Sequence, residues 1–283
     1  MIKKLTDRVF YMPHSEETDR PSLGLICGNK YSLIVDSGNS PKHAREFLSE
    51  IEALDIPPVR YLVITHWHWD HIFGIKEMDL VTIAHENIKE DFEKMKKYNW
   101  DDASLEGYIK DGTFSDFTVE FIKKEMPDRK ELSIGDLDII IKDSIEIDLG
   151  GVTCIIKGVE GSHTDDSLVV YAPEEKVVFL GDCVYGTKYN GVYGYTKEKL
   201  FPMIEKIEEF DAEHYIISHE ELCDKKEMDE FWSQLRAAEE VVGKTTSAEE
   251  AIKRFSEKFG KEPSEDEVFC INCFANVNKA MEE

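Results

Sequence analysis

Thr65-His66-Trp67-His68-Trp69-Asp70-His71, entered from the apolar run Tyr61-Leu62-Val63-Ile64, decides how this chain is read. The run is apolar enough to be a buried strand, and the stretch after it packs three imidazoles and a carboxylate into six positions. Side chains within a strand alternate between two faces, whereas those at a strand end, where the chain turns out of the sheet, can converge on one point. Neutral imidazole suits zinc, iron and nickel, and a carboxylate supplies the compensating charge, so the stretch reads as a metal-binding loop.

Three later loops follow the same grammar, an apolar strand, a small residue, then a histidine or aspartate. Gly161-Ser162-His163-Thr164-Asp165-Asp166 follows the run ending at Val159, Gly181-Asp182-Cys183 follows Val177-Val178-Phe179-Leu180, and Ser218-His219-Glu220 follows Tyr215-Ile216-Ile217. Singly, each is an ordinary turn or cap. Together with His66 to His71 they form a set.

Around these loops the chain alternates strands and helices. Leu23–Cys27 and Tyr31–Asp36 read as strands joined through Gly28-Asn29-Lys30, a hairpin signal. Ser40-Pro41 reads as an N-cap with proline at the first helical position, and Ala44, Phe47, Leu48 and Ile51 follow at helical spacing. A short strand is expected at Leu80–Ala84. Further strands are expected at Leu137–Ile141, Ile145–Leu149, Val152–Gly158, Ser167–Tyr171, Val177–Leu180 and His214–Ser218, with a helix near Glu198–Phe210. Between them, from about Ile88 to Leu132, an aromatic and acidic segment breaks the rhythm; it reads as partly helical and either lies over the metal loop as a lid, the preferred reading, or packs away from it. From about Lys225 the pattern is wholly helical, with Ser247/Glu250 and Ser264/Glu267 as expected capping boxes.

Composition narrows the partners. The 283 residues are 41% hydrophobic and 33% charged, with a net charge of −25 and mean hydropathy of −0.40. So acidic a surface repels phosphate backbones and anionic lipid, which argues against nucleic acid or a membrane as partner and for a small-molecule substrate. The N-terminal Met1–Arg8 lacks the apolar core of a signal peptide and no run approaches the roughly 18–20 residues of a membrane span, so a cytoplasmic location is expected. Six cysteines in a chain this long do not read as a disulfide framework, and the lone Cys270-Ile271-Asn272-Cys273 reads as two small, partly buried helix residues. Cys183 reads as a packing residue beside Asp182. The C-terminal helices are expected to dock on the core or on a second subunit, which leaves a homo-oligomer open.

The His66-Trp67-His68-Trp69-Asp70-His71 pattern, with Asp36-Ser37-Gly38, Ser162-His163, Gly181-Asp182 and Ser218-His219 in order, resembles the metallo-β-lactamase superfamily over roughly residues 7–224. The resemblance implies an α/β fold, a four-layer αββα sandwich, here with the inserted aromatic-rich segment (about 88–132) and a helical C-terminal extension at 225–283. It also implies one metal on His66, His68 and His163 and a second on Asp70, His71 and His219, with Asp182 bridging. Asp36 would stand behind the loops as a structural residue. The implied cofactors are two divalent ions, zinc first, iron or manganese otherwise, and Asp70 and Asp182 are the implied catalytic carboxylates.

The implied activity is hydrolysis of a small ester, lactone, thioester or amide by a hydroxide bridging the two metals. The alternatives are an iron-dependent oxygenase or oxidoreductase on the same fold, and a phosphodiesterase. The diiron oxygen-reducing branch usually has glutamate where His68 stands, which favours hydrolysis. Two departures are visible: Ser162 intervenes between Gly161 and His163, and His219-Glu220-Glu221 replaces a common Gly-His-Gly. Candidate pocket residues are His85 at the end of its strand, and Tyr185, Lys188 and Tyr193 just past Asp182, where they could donate to an oxyanion or a substrate carboxylate.

Overall fold

The computed structural model describes residues 1–282; Glu283, the last residue of the expected C-terminal extension, lies outside them. Two β-sheets face each other. The first runs in chain order through Lys3–Lys4, Val9–Met12, Leu23–Cys27, Ser32–Val35, Val59–Val63, Val81–His85 and Ile139–Ile141. Its first four strands are antiparallel neighbours, and its last four pair in parallel. The second sheet has the order Cys223–Asp224, His214–Ile217, Val177–Gly181, Leu168–Ala172, Thr153–Gly158, Ser144–Asp148. Only the pairing of Val177–Gly181 with His214–Ile217 is parallel there.

Three apolar clusters separate the layers. Val9, Ile26, Leu33, Val63 and Ile83 of the first sheet meet Cys154, Ile156, Val170 and Phe179 of the second, which fills the space between the sheets. Outside the first sheet, Leu25, Ile34 and Leu62 pack on the helix Pro41–Glu52 through Ala44, Phe47 and Ile51, and on the inserted segment. Outside the second, Val169, Val178 and Leu180 pack on Lys197–Glu208 and on the C-terminal helices Lys225–Val242, Ala248–Phe259 and Glu265–Glu282. These are the four layers αββα. Each strand in the middle is buried on both faces, which is why Leu23–Cys27, Leu168–Ala172 and Val177–Gly181 are uninterrupted apolar runs rather than alternating ones.

Local signals place most of the elements. Ser40 accepts from the His43 N–H at 2.9 Å and Pro41 opens the helix, as expected. Ser264 and Glu267 form a reciprocal box, with Ser264 N donating to Glu267 at 2.7 Å and Glu267 N donating to Ser264 Oγ at 3.2 Å. At Ser247 only half the expected box exists: Glu250 N donates to Ser247 Oγ, but the Glu250 carboxylate takes Thr245 and Arg254 instead. The long helix from Lys225 is started by a box on Asp224 and Glu227 that the apolar pattern did not signal.

The inserted segment forms three helices, Lys89–Met95, Asp102–Asp111 and Asp116–Glu125. Trp100 is its keystone, nearly buried against Phe73, Tyr98 and Phe114. The segment is tied down by an ion pair: Arg20 donates from Nε and Nη2 to the buried Glu125 at 3.1 and 2.7 Å, and Ser40 Oγ donates to the same carboxylate at 2.7 Å. No helix among the described residues is long and apolar enough to cross a membrane.

Candidate metal centre

The strands that end at Val63, Gly158, Gly181 and Ile217 deliver their following loops to one edge of the sandwich. Gly181 makes the convergence tight: at φ +56° it sits so close to Thr65 that an added Cβ would lie 2.6 Å from Thr65 Oγ1. A side chain there is excluded both by the left-handed backbone and by contact.

Two groups of donors result. His66, His68, His163 and Asp182 present ligand atoms within 4.8 Å of one another, and Asp70, His71, Asp182 and His219 form a second such group. Asp182 belongs to both. Its Oδ2 lies 3.5 Å from His163 Nε2, 3.6 Å from His219 Nε2 and 3.8 Å from His66 Nε2, while Oδ1 lies 3.5 Å from His71 Nε2. Asp70 Oδ2 lies 3.0 Å from His219 Nε2 and 3.1 Å from His71 Nε2.

The outer contacts set which nitrogen carries a lone pair. Asp36 accepts from Thr65 N at 2.8 Å and Thr65 Oγ1 at 2.9 Å, and its Oδ2 lies 2.9 Å from His71 Nδ1. Since Thr65 spends its one hydroxyl proton on Asp36, it accepts from His66 Nδ1, 3.2 Å away. His163 Nδ1 donates to the Gly186 carbonyl at 3.2 Å. In His66, His71 and His163 the Nε2 is therefore left facing the centre. His66 Nε2, His71 Nε2 and Asp182 Oδ1 are buried with no hydrogen-bond partner. Buried polar atoms without partners are costly, and three aimed at one place fit a cation between them.

Charge points the same way. Burial pushes the Asp70 and Asp182 carboxyls up, yet His71 and His219 hold both well below the usual carboxylate range. Burial opposes protonation of His71 and His219, yet the carboxylates override it: His71 rises well above an ordinary histidine and His219 to about 9. His66 and His68 stay neutral, His68 held down to about 3 by burial and by His163. Protons thus occupy the sites that metal ions would neutralise, so binding of metal releases protons.

A cavity of about 500 Å³ opens over this cluster. Its walls include Trp67, Trp69 and Tyr185, and, from the inserted segment, Phe114 and Phe117. The insertion therefore reaches the cluster through residues 113–118, and Phe117 is 58% exposed there. Of the candidate pocket residues, Tyr185 and Lys188 line the cavity. Tyr185 stands beside both His163 and His219, and burial keeps its hydroxyl protonated.

His85 and Tyr193 are not brought to this cavity. His85 is spent on structure, its Nε2 2.7 Å from the Lys142 carbonyl and its Nδ1 accepting from Asn87 N. Tyr193 backs the hairpin Thr187–Tyr189/Val192–Gly194, where its hydroxyl accepts from Gly186 N at 2.8 Å and its ring meets Phe269. Cys183 is buried, with burial raising its thiol pKa, which fits the packing role expected of it. Cys270 and Cys273 are buried on the last helix.

A family model for the metallo-beta-lactamase superfamily matches residues 19–219. The chain belongs to that superfamily. A "Beta-lactamase-like protein 2 homolog" from Caenorhabditis elegans is 22% identical over 263 residues, 89% of this chain and 75% of that protein. "Acyl-coenzyme A thioesterase MBLAC2" from Homo sapiens is 23% identical over 201 residues, 65% of this chain and 66% of its own length. Among solved structures, a metallo-beta-lactamase from Pontibacter korlensis shares the fold with a TM-score of 0.56 at 16% identity, covering 82% of this chain and 97% of that one. It is a superfamily of mostly hydrolytic metalloenzymes, and the His/Asp cluster belongs to that chemistry.

One residue at the site escaped the sequence pattern. Asp19 lines the cavity and lies 3.5 Å from His219 Nδ1. It sits in Thr18-Asp19-Arg20, a polar loop with no histidine and no preceding apolar strand, so no motif marks it.

Proposed function

We propose that this chain is a dizinc hydrolase of small acyl substrates, with thioesters ahead of esters, lactones and amides. His66, His68 and His163 would hold one ion and Asp70, His71 and His219 the other, with Asp182 shared. The observation that carries this reading is the position of the Asp182 carboxylate, within 3.8 Å of four imidazole nitrogens drawn from both groups. Divalent ions in such a site lower the pKa of bound water from about 15.7 to about 7 and polarise the acyl carbonyl.

The protein's own residues supply the rest. Asp36 and Thr65 orient His71 and His66, so the donor geometry is set before substrate arrives. Tyr185, flanked by His163 and His219, donates its hydroxyl to Glu220 Oε1 at 3.4 Å, so its ring would wall the acyl site beside the metal group, and donation to an acyl oxygen would require exchanging that partner. Lys188 brings a positive charge to the cavity wall and suits an anionic leaving group. Trp67, Phe114 and Phe117 offer apolar surface to the acyl chain. Preference for thioesters is supported by the likeness to a protein named as an acyl-coenzyme A thioesterase. The catalytic unit is taken as residues 1–224, consistent with a family match ending at 219, with 225–283 as a helical extension.

The test is elemental analysis of protein purified without chelator, beside a screen of chromogenic thioesters, esters, lactones and amides. Two zinc per chain with thioester turnover is the expected result. Iron, with no hydrolysis of any class, would overturn the reading.

A further inference from the structure

His71 and His219 occupy the same group and both carry a carboxylate behind the ring. Behind His71 it is Asp36, 2.9 Å from Nδ1; behind His219 it is Asp19, 3.5 Å from Nδ1. Both aspartates hold the left-handed backbone that non-glycine residues seldom adopt, at φ 63° and 55°. Such strain persists only where the surroundings enforce it.

Around Asp19 the enforcement is visible on three sides. Ser15 and Arg20 exchange backbone hydrogen bonds of 2.9 and 3.0 Å across the turn. Asn39 Nδ2 donates to the carbonyls of Thr18 and Asp19 at 2.8 and 3.2 Å. Arg20 is clamped by Glu125 at the end of an inserted helix and by Glu46. Just beyond the turn, Ser22 N donates to the carbonyl of Ser218, the residue before His219, at 2.7 Å. The turn and the His219 loop are thus one braced unit, and the only carboxylate the turn itself aims at the cavity is Asp19.

We infer that Asp19 is the positioning residue of His219, the counterpart of Asp36 behind His71, and that it selectively sustains metal binding by the Asp70/His71/His219 group. This rests on the proposed two-metal reading. An imidazole whose outer N–H meets a carboxylate is held in one tautomer and is a more basic ligand through its other nitrogen. In the first group the outer partners of His66 and His163 are a hydroxyl and a backbone carbonyl instead of carboxylates. Losing such an outer partner typically costs about 10–100-fold in metal affinity, and the 3.5 Å separation places Asp19 near the lower end.

The experiment is a competition titration of chelator-stripped full-length protein with Zn²⁺ against a chromogenic chelator, repeated with Co²⁺ to follow the ligand-field bands. Wild type, Asp19→Gly and Asp19→Asn are compared. Glycine and asparagine both tolerate the left-handed backbone, so neither should impair folding. The expected result is two equivalents for wild type, about tenfold weaker binding of one equivalent only in Asp19→Gly, and partial recovery in Asp19→Asn, whose amide oxygen can still accept from Nδ1. Unchanged affinity for both equivalents in Asp19→Gly, or equal weakening of both, overturns the assignment. Wild type that binds fewer than two equivalents overturns the two-metal reading itself, and the role of Asp19 with it.

Discussion

Phe117 is the residue through which the inserted segment would handle substrate. It is 58% exposed, at the start of the helix Asp116–Glu125, and touches Phe121 at a ring separation of 4.5 Å. A phenylalanine side chain has roughly 200 Å² to bury, so about 115 Å² remains open here. If a bound acyl chain covers one face, about 60 Å² leaves water, worth about 1.5 kcal/mol at roughly 25 cal/mol per Å². That is about a tenfold effect. Phe117→Ala should therefore lower kcat/KM about tenfold for long-chain acyl thioesters and leave the acetyl substrate nearly unchanged. Stability should hold within about 0.5 kcal/mol, as for most exposed positions. The assay is a chain-length series of thioesters with thiol release followed by a chromogenic reagent, beside a urea melt. Equal kcat/KM for mutant and wild type along the whole series would refute a part for the inserted segment in substrate binding.

Asp182→Ala and His66→Ala should both abolish turnover while the protein remains folded by circular dichroism; elemental analysis should show fewer than two metals per chain, and wild-type content and rate would refute the site. Trp100→Ala should act on stability rather than affinity, because the ring is nearly buried beneath Phe114 and against Phe73: a loss of about 3–5 kcal/mol in a denaturant melt is expected, and a loss under about 1 kcal/mol would contradict the packing. Asp166 gives a pH test. Burial raises its carboxyl to about 7 from an ordinary 3.8, so between those values the folded state holds the proton more tightly than the unfolded chain and stability falls as pH rises, by at most about 4 kcal/mol from this group. Asp166→Asn should accordingly raise the melting temperature at pH 8 and do little at pH 4; a gain of equal size at both would rule this out.

Much of the site was legible because its chemistry is concentrated in short stretches. His66, His68, Asp70 and His71 fall within six residues, and His163, Asp182 and His219 each follow an apolar strand with a small residue between. Period and strand-end position are local properties, so they can be read without knowing what lies across the sheet. The hairpin at 28–30, the Ser40-Pro41 helix start and the helical run from Lys225 are local in the same sense.

What the chain alone left open depends on contacts between distant segments. His85 and Tyr193 have the right residue type at the right kind of position, yet the Lys142 carbonyl and the Gly186 amide occupy them. Whether the aromatic insertion reaches the cavity was set by Arg20, Ser40 and Glu125, which are brought together from segments 20 to 105 residues apart. Asp19 carries no motif; it meets His219, 200 residues later, only because Ser22 and Ser218 join their two turns at the same sheet edge. Sequence by itself determined the run of strands and helices and which side chains could bind metal, since hydrophobic period and strand-end chemistry are written locally, while the αββα sandwich was implied by the resemblance those residues carry. Tertiary structure alone decided which of those side chains share a cavity and what stands behind each, because a hydrogen bond or an ion pair acts over about 3 Å, whatever the separation along the chain.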